Sequence, residues 1–534
     1  MVDTKEVWAL SASMAFILLL IMASLVAMVA RKWQFPYTVA LVATGMAMSL
    51  LSDRLMPASF DIGLHLSPDL LFLVLLPVLI YEAAFHFDLH DFRDSWKSIL
   101  TLAAPGLIVG LIIAGGMFFG IFSLLGLPLS FTVALLIAAM LSATDPVAVI
   151  SLFREMGVPR RLVVLMEGES LLNDGVAVVA FSMVLVALGL HPYYTDLSAG
   201  FVVQFLGWEI LGALLIGGLV GFGLSWLTTQ IDDHLIEITL TTVAAYGSFL
   251  LADKAHASGV IACLVAGMLT GNFGAKYGMS PTTRIAVVTF WEYAAFLANS
   301  IIFLLVGLEI HIERLAGRWL PILLLWLALL LARSILVGGT VPWLERREGR
   351  MRWGRLVAIS WGGLRGGIAM VLALSLPRTW PHRELVVDLV FGVCVLTIMV
   401  QGLSMRKLLG WFGLITDRSG VLALEEYRGK YRSVQDALRY LDQRKANGTV
   451  DQDVYDTVHS QLTKELDELE TKRPDAEEIE ERIKREREIE LTRQVIQLRK
   501  DALKRALVDG HISDTVARKL IGEMDERLHN LVEH

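Results

Sequence analysis

Glu167-Gly-Glu169-Ser170-Leu-Leu-Asn173-Asp174-Gly175 places three carboxylates and an amide inside a segment that is otherwise apolar from Leu162 to Leu190. A helix of that length crosses a hydrocarbon core about 30 Å thick. At a rise of 1.5 Å per residue, Asp174 falls about 18 Å from the start of the helix, near the bilayer midplane. A charge there costs about 3 kcal/mol on insertion scales, so a polar cluster at this depth implies a use.

Outward from this stretch the chain repeats the pattern. Apolar runs separated by charged or Pro/Gly-rich breaks give thirteen candidate spans: 7–30, 35–51, 69–85, 98–124, 130–153, 162–190, 200–229, 234–252, 257–272, 285–309, 318–344, 353–376 and 384–412. With 55% hydrophobic residues in 534, this is an all-α polytopic membrane protein and not a soluble enzyme with one anchor. The first run is too long for a signal-peptide core and reads as a retained span. Composition changes abruptly near Trp411, because residues 413–534 carry 49 of the 101 Asp, Glu, Lys and Arg residues. Two domains follow: a transmembrane domain over 1–412, and a charged helical tail over 413–534 that is expected to be regulatory, with its ligand unknown.

Short loops set the orientation. One alternating set carries fourteen basic residues, from Arg31-Lys32 to Arg346-Arg347, Arg350, Arg352 and Arg355, and the other set carries six. The positive-inside rule then places the N-terminus outside and the tail in the cytoplasm of a cell-membrane protein. An odd number of spans agrees with that.

Ser170 and Asp174 share a helix face at i,i+4, with Asn173 beside them, which makes an oxygen-rich site for a small hard cation or a proton. In the fifth span, Ser142-Ala-Thr144-Asp145-Pro146 should open the helix, since Pro146 lacks a donor and clashes with the preceding turn. In the twelfth, Trp361-Gly-Gly-Leu-Arg365-Gly-Gly367 surrounds an arginine with four glycines, and Arg365 can meet the carbonyl end of a half-helix. The two broken segments lie seven spans apart and so run in opposite directions, the pattern of two inverted six-helix repeats joined by a connector. Glu169 and Arg333 are expected to pair, because a lone buried charge is far costlier than a pair. Glu82, in the third span, either lines an ion path or serves packing at a helix end. Glu167 is nearest in sequence to Arg160 and Arg161 and is expected at the interface.

In this order, Thr144-Asp-Pro, Gly168-Glu-Ser-Leu-Leu-Asn-Asp174 and Gly362-Gly-Leu-Arg-Gly resemble the monovalent cation:proton antiporter 1 family, over roughly residues 7–412. The resemblance implies thirteen spans with two crossed, unwound helices, and a homodimer. It implies that Asp174 is the shared cation and proton site, so that the only metal handled is the transported Na+, with Ser170, Glu82 and the Thr144 backbone as helpers. Asp145 and Arg365 would balance the crossed helix ends, and Glu169 with Arg333 would form a buried ion bridge. Asn173 beside Asp174 matches electroneutral members. The last glycine of Gly362-Gly-Leu-Arg-Gly-Gly367 stands where many members have alanine.

The partners expected are therefore a monovalent cation (Na+ or Li+, with K+ a further candidate), a proton and membrane lipid, with no cofactor and no nucleic acid. No Gly-x-x-x-x-Gly-Lys-Ser/Thr loop is present to couple nucleotide hydrolysis, and no His-Glu-x-x-His for a zinc protease. His86, Asp88, His90 and Asp91 superficially resemble metal ligands, but the alternating Phe87, Leu89 and Phe92 fit an interfacial turn better. Cys263 and Cys394 sit in apolar segments and read as small hydrophobes. The competing classes are a cation channel lined by the same carboxylates, and a sensor whose tail is the working part.

Overall fold

The computed structural model describes residues 4–33, 36–55, 71–145, 147–191, 193–194, 198–310, 312–345, 353–414, 419–447 and 449–471, with scattered positions from 492 to 523. Contacts divide the chain into two units, Met1–Ile415 and Thr416–His534.

The first unit is helical throughout, with no strand among the described residues. In chain order its helices are α1 (Thr4–Lys32), α2 (Tyr37–Leu55), α3 (Leu71–His86), α4 (Leu89–Leu124), α5 (Phe131–Met140), α6 (Val147–Glu155) and α7 (Arg160–Ala187). There follow α8 (Ala199–Thr228), α9 (His234–Lys254), α10 (Gly259–Gly278), α11 (Pro281–Glu309), α12 (Ile312–Gly317), α13 (Trp319–Glu345), α14 (Trp353–Trp361), α15 (Gly367–Leu374) and α16 (Arg383–Trp411). Among the described residues eight helices are long and apolar enough to cross a membrane: α4, α7, α8, α9, α10, α11, α13 and α16. Shorter apolar stretches lie in α1, α2, α3 and α5. This is a multi-pass membrane protein.

Local sequence explains where these helices begin. Ser130, Ser198, Ser258 and Ser280 each accept from a backbone amide three residues on, at the starts of α5, α8, α10 and α11. Pro281 follows Ser280 at a position where a missing amide hydrogen costs nothing. Asp233 caps α9 through Leu235 N and Ile236 N. Asp88 caps α4, which starts at Leu89 and not near 98; its first turns, Leu89–Thr101, are amphipathic and were too polar to count as a span. The His90 amide and the Lys276 ammonium, 3.0 Å away, hold the Asp88 carboxyl below its usual range.

Four helices contain a widened, π-helical turn: Leu71–Leu75 in α3, Leu102–Gly106 in α4, Thr270–Gly278 in α10 and Thr397–Gly402 in α16. Pro105 accounts for the second, since its ring cannot fit the ordinary i to i−4 ladder. Helices α2 and α11 approach until backbone meets backbone. A Cβ on Gly45 would lie 2.7 Å from Gly307 Cα, and one on Gly307 would lie 2.8 Å from Gly45 Cα, the small-residue packing of membrane helices.

The second unit holds a helical hairpin of α17 (Ser419–Ala446) and α18 (Gln452–Thr471). Tyr455 Oη donates to Asp442 Oδ1 at 2.8 Å, Tyr431 Oη to Glu470 Oε1 at 3.2 Å, and Lys445 Nζ sits 3.8 Å from the Tyr455 ring centre. Asn447 lies in the connection between them. Arg473-Pro474-Asp475 and the charged run 477–490 lie outside the described residues.

Candidate ion-binding site

Helix α7 carries its polar residues toward the gap between α5 and α6, where residues 141–145 are not helical; Pro146 lies outside the described residues. Ser170 Oγ donates to the freed carbonyl of Thr144. Asn173 Nδ2 donates to Thr144 Oγ1 at 2.7 Å. These bonds leave the other side of the cluster as acceptors only. Asn173 Oδ1 and Asp174 Oδ1 are both buried and have no hydrogen-bond partner among the described residues. Carboxylate and amide oxygens without donors are what a hard cation or a proton can satisfy.

The gap meets a second one. Residues 362–366 separate α14 from α15, and the Asp145 amide donates to Leu364 O at 2.9 Å, joining the two breaks backbone to backbone. Arg365 Nη1 donates to Ser142 O at 2.9 Å and Ala143 O at 3.4 Å, just past the carbonyl end of α5. A guanidinium there opposes the negative end of the helix dipole. The Arg365 amide is held by Thr397 Oγ1 of α16 at 3.1 Å.

Gly366, the residue before α15, packs directly on the Asp145 side chain, which brings that carboxylate to the positive end of α15. A Cβ at Gly366 would overlap Asp145, and one at Gly363 would lie 2.5 Å from Arg333 Nε. Gly366→Ala is therefore expected to cut the yield of monodisperse protein in size-exclusion chromatography sharply, at a cost of about 1–3 kcal/mol or more. Gly338→Ala, where a Cβ meets open space, should leave the yield unchanged.

Immediately before Ser170 on α7, the two oxygens of Glu169 accept from Arg333 Nη1 and Nη2 at 2.9 and 3.0 Å, a bidentate pair with both side chains below a tenth exposed. Arg333 Nε also donates to Ile359 O, in the last turn of α14, at 3.1 Å. Glu82 stands apart: its carboxylate lies 3.2 Å from His86 Nδ1, one turn along α3, and no hydrogen bond or ion pair joins it to Ser170, Asn173 or Asp174 among the described residues. Glu167 does not face Arg160. It pairs with Arg154 of α6 at 3.1 Å, while Arg160 takes Asp91 at 2.7 Å. Seven residues of helix put Arg160 about 10 Å below Glu167, too far for a contact that a neighbouring helix supplies directly. His90 lies 3.5 Å from Asp94, so His86, Asp88, His90 and Asp91 each have a separate partner.

Sequence motifs alone do not disclose Thr397 or Gln401, which border the crossing from α16 and are almost fully buried. The available signal was a glutamine inside an apolar span, which needs internal partners as much as a charge does.

A buried carboxylate oxygen where two interrupted helices meet is the arrangement expected of a secondary ion transporter, with the opened backbone exposed only inside the protein. Comparison with known proteins narrows this class. Residues 17–411 match the family described as sodium/hydrogen exchanger, transmembrane. The chain is 39% identical over 412 residues to the Na+/H+ antiporter ApNhaP of Aphanothece halophytica, covering 77% of this chain and 76% of the relative. It is 36% identical over 406 residues to the Na+/H+ antiporter NhaH of Halobacillus dabanensis, covering 75% of this chain and 97% of the relative. The fold is similar to that of the sodium proton antiporter MjNhaP1 from Methanocaldococcus jannaschii, with a TM-score of 0.60 and 22% identity over 76% of this chain and 98% of that one. The chain belongs to the sodium/hydrogen exchanger family, whose relatives here are named as antiporters; it is a transporter, not an enzyme.

Proposed function

We propose that this protein is a secondary antiporter that exchanges Na+ or Li+, with K+ a further candidate, for a proton at Asp174. The observation that carries this reading is the pair of buried oxygens, Asp174 Oδ1 and Asn173 Oδ1, that have no donor among the described residues. Cation and proton compete for one carboxylate, so the site is neutral when either is bound and charged when empty. Only the neutral site crosses the apolar interior as one part of the protein moves against the other, which couples the two fluxes.

Ser170 and the Thr144 backbone complete the site, and Glu82 serves the approach to it. Asn173 fixes Thr144, Asp145 and Arg365 balance the helix ends, and Glu169 with Arg333 forms the structural bridge. The helices fit thirteen spans if α5 with α6 and α14 with α15 each count once and the six-residue α12 is not counted, arranged as two inverted six-helix repeats. The N-terminus lies outside, the tail lies in the cytoplasm as a regulatory element of unassigned ligand, and the protein works as a homodimer.

With one acidic residue in the Asn173-Asp174 pair, one proton replaces one cation and no net charge moves. Purified protein in liposomes loaded with a pH-sensitive dye should show alkalinisation on adding Na+ or Li+, at a rate unaltered by an imposed membrane potential. Potential-dependent rates would refute electroneutrality, and cation flux without proton movement would point to a channel.

A further inference from the structure

Arg365 uses its backbone amide and Nη1 to hold the crossing, but its Nε is buried with no hydrogen-bond partner among the described residues. Of the other buried polar atoms in that condition, two belong to residues beside it: the indole Nε1 of Trp326 on α13 and Oε1 of Gln401 on α16. All three residues line one cavity of about 10 Å³, which Thr397, Ser360 and Gly363 help to close. Arg365 is 4% exposed, Gln401 3% and Trp326 9%. Gln401 stands in the widened Thr397–Gly402 turn, a backbone form that recurs at functional positions.

The polarity of these atoms identifies the occupant. Two are N–H donors and one is a carbonyl acceptor. A chloride ion would satisfy both donors but lie against Gln401 Oε1, oxygen to anion. A metal cation would face the guanidiniums of Arg365 and Arg333, which lines the same cavity. An apolar group would leave all three atoms unsatisfied. A water accepts two hydrogen bonds and donates one or two, needs two to four polar partners, and occupies about 10–15 Å³ by this measure.

We propose that this cavity is a binding site for one ordered water, which accepts from Arg365 Nε and Trp326 Nε1 and donates to Gln401 Oε1. Gln401 is thereby a positioning residue. Through the water it fixes the Arg365 guanidinium, which holds the carbonyls of Ser142 and Ala143, and these set the place of Thr144 beside Ser170 and Asn173. The link to transport rests on the antiporter reading; the water site itself does not.

The test takes the full-length protein in lipid nanodiscs to a cryo-EM map that resolves ordered waters, as wild type, Gln401→Met and Gln401→Glu. Density for one water within hydrogen-bonding distance of all three atoms is expected in the wild type and in Gln401→Glu, which keeps an acceptor at the same reach. It should be lost in Gln401→Met. In dye-loaded liposomes, Gln401→Met should raise the half-saturating Na+ concentration about threefold to tenfold with the maximal rate retained, and Gln401→Glu should return it toward wild type. A dry or ion-filled wild-type cavity overturns the site, whatever the chain transports. A water retained in Gln401→Met, or an unchanged half-saturation, overturns the role of Gln401. If Gln401→Met fails to fold, Trp326→Phe removes one donor while keeping an aromatic side chain, and unchanged water density there overturns the assignment equally.

Discussion

Asp174→Asn is expected to reduce cation-driven proton movement in liposomes to the level of protein-free vesicles while leaving the folded yield close to wild type. The substitution keeps size and shape, and asparagine is tolerated in a helix about as well as aspartate. It cannot ionise, so neither of the two states proposed for the carrier, protonated and cation-bound, can form. The other carboxylates nearby are already engaged: Glu169 is committed to Arg333 by two hydrogen bonds, Asp145 packs against Gly366 before α15, and Glu82, outside the cluster, is paired with His86. Dye-monitored exchange and thermal melting of the same preparation check both halves of the expectation. Normal exchange by this variant would remove Asp174 from the mechanism.

The second large effect is on stability. Glu169→Leu should lower the free energy of unfolding by about 3–5 kcal/mol, because it strands the Arg333 guanidinium in a dry interior. The double variant Glu169→Leu, Arg333→Leu should recover much of that loss, although Arg333 also gives up its bond to Ile359 O. The recovery distinguishes the cost of an unpaired charge from the cost of altered packing: a double variant as unstable as the sum of the two singles would mean the pair contributes through shape alone. Melting temperatures of the four proteins in one detergent, compared as a double-mutant cycle, give the answer.

These two residues mark what sequence could disclose. Asp174 and Glu169 are legible because the bilayer makes each charge expensive, which forces a partner or a task on any carboxylate placed there. The interruptions at 141–145 and 362–366 are legible for a related reason, since proline and clustered glycine in an apolar run announce open backbone. Other features depend on which helices become neighbours, and one-dimensional spacing does not carry that. Glu167 takes Arg154 from α6 in place of the arginines nearer along α7. The early start of α4 was hidden because Leu89–Thr101 is amphipathic and counts as polar in a search for apolar runs. Thr397 and Gln401 belong to no motif, and only the crossing gives them a purpose.

That crossing carries one bond whose mechanical meaning reaches beyond its chemistry. The Asp145 amide and the Leu364 carbonyl are more than two hundred positions apart along the chain, yet they are stitched together by main chain alone, which no side-chain exchange short of proline at 145 removes. Gly366 lies flush against the same residue, leaving no slack around the stitch. Two strands of backbone fastened at their weakest points behave as one stiff node. In a carrier of the kind proposed here the cargo would ride beside that node as a passenger on a rigid frame, and the bending would fall to the outer joints of the helices that bear it.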